Sequence, residues 1–321
     1  MRQVHHIMNA NATPHPFGGI YASTVCPMTA LASIDEELLA KHLSTIVGTE
    51  GMSGLLVNGH AGENSFLDRA ELKTIISVAR AVPGRHRIVA GINSESTDYA
   101  VRLAEDAAEA GADSVMIFPP FSWALGVDDR VVQQHHRAVA AASGLPVFLF
   151  QSSVNAGRAA FTPDTLARLL EIESVVGIKE GSWETSAYEA TRRLARRLRP
   201  DVGVMASGDE HLFTCFVIGS EGSLVSLAAV VPELIVALDR AVLAGDLQQA
   251  RSLHERLYDL GRLVYGAPGH LATLRLKTCL VQLGRLPRAT SRLPIPALSQ
   301  TEVDGLRAAL ITAGVLEMAD Q

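Results

Sequence analysis

The feature that most constrains the fold is a repeat of short apolar strands, each followed by a helix, along most of the 321-residue chain. Such units recur at intervals of roughly 25–30 residues, and their strict alternation requires parallel strand pairing. The predicted strands cover residues 19–25, 54–58, 87–91, 114–118, 146–150, 175–180, 202–206 and 222–226. Eight such units predict an α/β fold, specifically a closed (β/α)8 or TIM barrel.

An open, doubly wound sheet is the alternative arrangement for the same alternating pattern. Its dinucleotide-binding members carry a Gly-x-Gly-x-x-Gly turn after the first strand, and this sequence has no such turn there. The sequence also lacks a Gly-Lys-Ser/Thr phosphate loop. The barrel is therefore the preferred prediction, without a nucleotide site of either type.

The pattern changes after Gly245, where helices follow one another without intervening strands. The predicted helices there cover residues 246–265, 271–283 and 301–314. We therefore predict a flexible leader at 1–17, the barrel at 18–244 and a C-terminal helical region at 245–321. That last region is expected either to cover the barrel or to form a contact between subunits.

The composition is typical of a cytoplasmic globular enzyme, with 48% hydrophobic and 19% charged residues. A net charge of −6 argues against a nucleic acid partner, because binding one needs clustered Lys and Arg. The one basic cluster, at 192–199, has helical spacing and is interpreted as a solvated helix face. No apolar run is long enough for a membrane span or a signal peptide, so no membrane partner is expected.

The cysteines are few and scattered, at positions 26, 215 and 279. They form no Cys-x-x-Cys pair and no even-numbered framework, so we predict neither a zinc site nor disulfides. This usage indicates a reducing compartment, in agreement with a cytoplasmic location. Histidines 5, 6 and 15 of the leader are interpreted as part of a polar tail, and no metal site is predicted.

Lys179 ends the apolar run Val175–Glu180, which has the character of a fully buried parallel strand. A lysine is out of place there, because taking an ammonium group out of water is costly. One interpretation is that its side chain turns out to solvent. The other is an amine with a lowered pKa that attacks a carbonyl substrate. Its place at the carboxyl end of a barrel strand, where barrel enzymes carry their chemistry, favours the second.

The loop Gly59–Glu63 follows another predicted strand. Its glycines would let successive backbone N–H groups face an anion such as a carboxylate at a helix start. The alternative is that these glycines only make a turn. The other strand-end candidates are Cys26, Asn93, Pro119–Trp123, Phe150, Gln151, Asp209 and Ser226.

Several short motifs recur together in one known family. They are Gly-Ile-Lys-Glu around Lys179, Gly-x-x-Gly-Glu at 59–63, Pro27-Met28, Ser207-Gly208-Asp209 and Gly222–Ser226. Over about residues 18–316 the chain resembles the dihydrodipicolinate synthase / N-acetylneuraminate lyase family of Schiff-base-forming lyases. The match is specific for the family but does not identify a substrate.

The resemblance implies a barrel with a C-terminal helical region, in a homo-oligomer that is a dimer or a tetramer. Lys179 would condense with the ketone of pyruvate or another small 2-oxo acid to give an iminium, without metal or organic cofactor. Backbone N–H groups near His60 and Ala61 would hold the substrate carboxylate. The implied substrate contacts are Gly59, Ala61, Gly62, Phe121, Phe150, Gln151 and Ser226.

The sequence departs from the family at its proton relay. Family members end the fifth strand in Tyr-Asn, whereas this chain has Phe150-Gln151, and a phenyl ring has no proton to give. The hydroxyls of the family's Gly-Thr-Thr-Gly-Glu are replaced by His60 and Ala61, and Phe121 replaces a second phenol. The arginine that synthases use for a second carboxylate falls near Asn155, with Arg158 out of register.

These departures make dihydrodipicolinate synthesis itself doubtful, and two functions stay open. The first is a lyase, of aldolase, dehydratase or decarboxylase type, in which His60 takes over acid–base duty because imidazole titrates near neutral pH. His60 could instead only hydrogen-bond its own loop. The second is a non-catalytic barrel that binds 2-oxo acids. Phe121, Trp123 and Phe150 are expected to form an apolar pocket.

Overall fold

The computed structural model describes residues 15–317 and shows eight parallel strands that close into a barrel in chain order. The strands are β1 (Gly19–Ser23), β2 (Met52–Val57), β3 (Arg87–Ile92), β4 (Ser114–Ile117), β5 (Val147–Gln151), β6 (Val175–Glu180), β7 (Gly203–Ala206) and β8 (Gly222–Val225). Parallel pairing of β1 with β8 closes the sheet. This closure confirms the predicted TIM barrel and excludes the open sheet.

A helix follows each of the eight strands, and three more helices come after the eighth helix. They are α1 (Glu36–Val47), α2 (Arg69–Ala81), α3 (Thr97–Glu109), α4 (Asp129–Ser143), α5 (Pro163–Leu169), α6 (Thr185–Leu198), α7 (Leu212–Ile218), α8 (Pro232–Leu243), α9 (Leu247–Tyr265), α10 (Ala272–Gln282) and α11 (Gln300–Thr312). Local signals set the helix starts: Asp68 caps α2 in a capping box, and Pro163 is the first residue of α5. In the described part of the chain, no helix is both long and apolar enough to cross a bilayer.

The barrel interior is filled by side chains from the strands, so it is a packed core and not a pore. These side chains belong to Tyr21, Leu56, Val89, Met116, Phe118, Phe148, Met205 and Leu224. Strand β6 contributes no side chain to this layer, because it has Gly177 there. A Cβ at that position would lie 2.3 Å from the Phe148 ring. The glycine lets this ring fill the interior one layer below Lys179.

The amino-terminal end of the barrel is closed by residues 15–17. The Phe17 ring packs edge-on against Phe148 at 5.8 Å and lies 4.4 Å below the Arg87 guanidinium. The Phe17 N–H donates to Nδ1 of His15, whose Nε2 lies 3.1 Å from the Asp201 carbonyl oxygen. The last three residues of the predicted leader thus pack on the barrel. Residues 1–14 of that leader, with His5 and His6, lie outside the described residues.

Candidate active site

Lys179 lies inside the carboxyl-terminal mouth of the barrel. Lys179 is only 9% exposed. Its Nζ donates a 3.2 Å hydrogen bond to Oγ of Ser23, which lies across the barrel on β1. Nζ also lies 5.6 Å from the centroid of the Phe150 ring, in cation–π contact. This placement does not match the interpretation in which the lysine turns out to solvent.

The surroundings of Lys179 disfavour its charged form. Burial lowers the pKa of the amine to about 8, and the nearby Asp209 carboxylate opposes that shift only in part. No ion pair to Nζ is formed by residues 15–317. At pH 7 a larger share of this amine is therefore neutral than of an ordinary lysine.

The loop after β2 begins with a 3₁₀ turn, His60–Gly62, whose first amides stay free, and a second such turn follows at Asn64–Phe66. The Gly62 N–H donates to the Gly59 carbonyl and the Glu63 N–H to the His60 carbonyl. The N–H groups of His60 and Ala61 have no acceptor among the described residues. Free amides of successive residues at a turn can act as a receptor for a carboxylate.

The C-terminal region holds this loop in place. The Thr273 hydroxyl of α10 donates to the His60 carbonyl oxygen at 3.3 Å. Lys277, also on α10 and fully buried, forms a 2.7 Å ion pair with the buried Glu63, and it also donates to the Thr290 carbonyl. Of the two roles expected for this region, the described residues show the one in which it packs on the barrel.

The imidazole of His60 is surrounded by aromatic rings. Its centroid lies 4.4 Å from that of Phe118, 5.6 Å from Phe121 and 5.7 Å from Phe150. Burial, and then the Lys179 charge, lower the pKa of His60 to about 4. Because the ring still faces the open mouth, water there relieves part of this effect, but its direction leaves a neutral imidazole at pH 7.

Three of the predicted strand-end residues lie outside the mouth. Gln151 faces the helices, and its amide is held at both ends by the Phe161 backbone at 3.1 Å. Trp123 packs on the α4 histidines, His135 and His136. Cys26 is buried, and its pKa is raised to about 12 chiefly by that burial. The apolar pocket therefore consists of Phe118, Phe121 and Phe150, without Trp123.

The opposite wall of the mouth is polar, and it combines two predicted residues with two that the sequence did not single out. The predicted residues are Ser226 and Asp209, and Asp209 Oδ1 accepts a 2.7 Å hydrogen bond from the Leu227 N–H. Tyr265, at the end of α9, places its hydroxyl beside these two residues. Its ring packs at 5.1 Å on Trp183, which follows β6. The mouth thus has an apolar wall and a polar wall, with Lys179 between them.

Comparison with known proteins shows the family to which the chain belongs. The model of the dihydrodipicolinate synthetase family matches residues 16–313, nearly the whole described chain. The chain belongs to this family. Among curated members, it is 32% identical to 4-hydroxy-tetrahydrodipicolinate synthase 1 of Streptomyces coelicolor, over 92% of this chain and 93% of the relative. It is 30% identical to the synthase of Moorella thermoacetica, over 94% and 99%.

Solved structures of family members share the fold. YagE of E. coli K12, a prophage protein of the family in complex with pyruvate, superposes with a TM-score of 0.86 at 23% identity. That match covers 94% of this chain and 99% of YagE. The dihydrodipicolinate synthase of Aquifex aeolicus superposes with a TM-score of 0.82 at 25% identity, over 93% and 99%. In residues 15–317, no group of three His, Cys, Asp or Glu side chains is placed to hold a metal ion.

Proposed function

We propose that the protein is a lyase that acts on pyruvate or another small 2-oxo acid through an imine on Lys179. The observation that supports this most directly is the buried Lys179 amine, which has a hydroxyl partner but no counter-ion within ion-pair distance among the described residues. A site that only bound a carboxylate would have no need for an amine with a lowered pKa.

The mouth suggests how the substrate is held. The carboxylate of the 2-oxo acid accepts hydrogen bonds from the free N–H groups of His60 and Ala61. Its ketone carbon is then attacked by the neutral amine of Lys179, and Ser23 Oγ orients that amine. Loss of water leaves an iminium, whose positive nitrogen accepts electrons when a bond next to it breaks.

Two features argue against dihydrodipicolinate synthesis as the reaction. The aromatic residues on the apolar wall carry no hydroxyl, so the family's phenol relay has no counterpart there. Arg158 is paired with Asp129 at 2.5 Å, which draws its guanidinium towards α4. We therefore propose an aldolase- or dehydratase-type lyase with a less polar second reactant. A barrel that binds 2-oxo acids without turnover is the competing function.

Reductive trapping separates these two functions. The protein is incubated with pyruvate, 2-oxobutanoate or 2-oxoglutarate in the presence of borohydride, and intact mass and peptide mapping follow. We expect one covalent adduct per chain, located on Lys179. Binding of a 2-oxo acid by calorimetry without any trapped adduct would favour the non-catalytic barrel.

The rate of imine formation is expected to depend on pH. Only the neutral amine attacks, so the rate should rise with pH through an apparent pKa of about 8 and then level off. An ordinary lysine would give a rise centred above pH 10. The measurement is the initial trapping rate between pH 6 and 10 at pyruvate concentrations well below saturation, where the pH dependence reports the free protein. A midpoint above pH 10 would contradict the desolvated environment.

The general acid–base role of His60 stays a prediction. Its surroundings favour a neutral ring that hydrogen-bonds the substrate, since a cationic imidazole would face the Lys179 charge. The homo-oligomer and the cytoplasmic location also stay predictions.

A further inference from the structure

The apolar wall leaves the imine without an evident proton carrier. Phe118, Phe121 and Phe150 have no titratable group, and the His60 imidazole packs against these three rings, where burial and the Lys179 charge lower its pKa. An imine-forming lyase must nevertheless move a proton at the carbon next to the imine. A relay is therefore to be sought on the polar wall.

We propose that the hydroxyl of Tyr265, backed by the carboxylate of Asp209, is the proton relay for the imine on Lys179. This inference rests on the proposed function and names the residues that carry its proton transfers. It also assigns a catalytic role to the C-terminal helical region, since Tyr265 is the last residue of α9.

The Tyr265 hydroxyl is placed as such a relay requires. It is buried within reach of Asp209 and Ser226, although neither contact has the full geometry of a hydrogen bond. A buried hydroxyl whose contacts fall short of good hydrogen-bond geometry gains free energy when a ligand or water completes them. Asp209, which this hydroxyl adjoins, is near enough to Lys179 for the two charges to interact, so we expect the hydroxyl to face a substrate bound on Lys179.

The end of α9 is held rigidly, so that the phenol is in place before substrate arrives. The buried Arg275 of α10 donates to the carbonyls of Val264 and Gly266, on either side of Tyr265, at 3.3 and 2.6 Å. Arg275 is itself held by Glu302 at 2.9 Å. With Trp183 against the ring, both the backbone and the side chain of Tyr265 are supported by neighbouring elements.

The charges of the polar wall have the required signs. Burial raises the pKa of Asp209 to about 6, while the Leu227 N–H, Tyr265 and Lys179 lower it, so the carboxyl is mostly ionised at pH 7. Burial and then the Asp209 charge raise the pKa of Tyr265 well above 10, which keeps the phenol protonated. A neutral phenol next to a carboxylate passes a proton in either direction without holding a charge itself.

The step balances as follows for a pyruvate imine. The phenol oxygen takes a methyl proton while the phenol proton passes to the Asp209 carboxylate. The electrons of the broken C–H bond form the enamine double bond, and those of the C=N bond return to the Lys179 nitrogen. The reverse step protonates the enamine.

Exchange of the pyruvate methyl protons in D₂O tests the relay without knowledge of the second reactant. Loss of the methyl signal is followed by proton NMR for wild type, Tyr265→Phe, Asp209→Asn and His60→Ala, and borohydride trapping is measured in each. The matched control is Tyr258→Phe, which removes an exposed phenol from the same helix. Where 2-oxobutanoate traps better than pyruvate, it serves as the probe.

We expect Tyr265→Phe to slow exchange by about a hundredfold or more, the usual contribution of a general acid–base group, and to keep its trapping. Asp209→Asn should also slow exchange, and Tyr258→Phe should match wild type. Exchange at the wild-type rate in Tyr265→Phe would overturn the relay, as would a loss confined to His60→Ala. Trapping without exchange in wild type would also overturn it. A wild type that traps no 2-oxo acid would overturn the proposed function and the relay together.

Discussion

Lys179→Met is expected to form no reducible adduct with any 2-oxo acid and to lose turnover by at least about a thousandfold, because its side chain has no nucleophile. The fold should persist, since methionine replaces a mostly buried ammonium group with an apolar chain of similar length. Intact mass after borohydride treatment, together with thermal unfolding, measures both results.

Two further variants show whether the amine or only its charge matters. Lys179→Arg keeps a cation but cannot condense with a ketone, so it should also form no adduct. Lys41→Met removes an exposed lysine from α1 and should trap like wild type. An adduct of unchanged yield in Lys179→Met, mapped to another lysine, would refute the site assignment.

Lys277→Met is expected to lower the free energy of unfolding by about 3–5 kcal/mol, since it leaves the Glu63 carboxylate buried and unpaired. It should also raise the KM for the 2-oxo acid, because Glu63 follows directly the turn that presents the carboxylate-binding amides. Denaturant unfolding and the concentration dependence of trapping measure the two effects.

The control for the buried Lys277–Glu63 pair is an exposed ion pair. Arg80→Met breaks the Arg80–Asp113 pair, each side chain of which is 39% exposed, and should cost less than about 1 kcal/mol. The double variant Glu63→Gln with Lys277→Met should recover part of the lost stability, since no unpaired charge remains. Equal losses in Lys277→Met and Arg80→Met would show that burial of the pair contributes nothing.

The barrel and its lysine could be predicted because their signals are local. Each strand is a short apolar run between turns, and β6 was predicted at Val175–Glu180, the range that the structure shows. The direction of Gln151 was also within reach of the sequence. Alternation along β5 puts Phe148 and Phe150 on one face, so Gln151 must point to the other, towards the helices.

The sequence by itself determined the order of strands and helices, the barrel, and the strand end that carries Lys179. Each of these follows from periodicity within a few dozen residues. Only the tertiary structure decided what surrounds the amine: Ser23 lies 156 residues before Lys179 and Tyr265 lies 86 residues after it (265 − 179). No local pattern relates positions so far apart, because closing the barrel and packing the last helices on it is what brings them together.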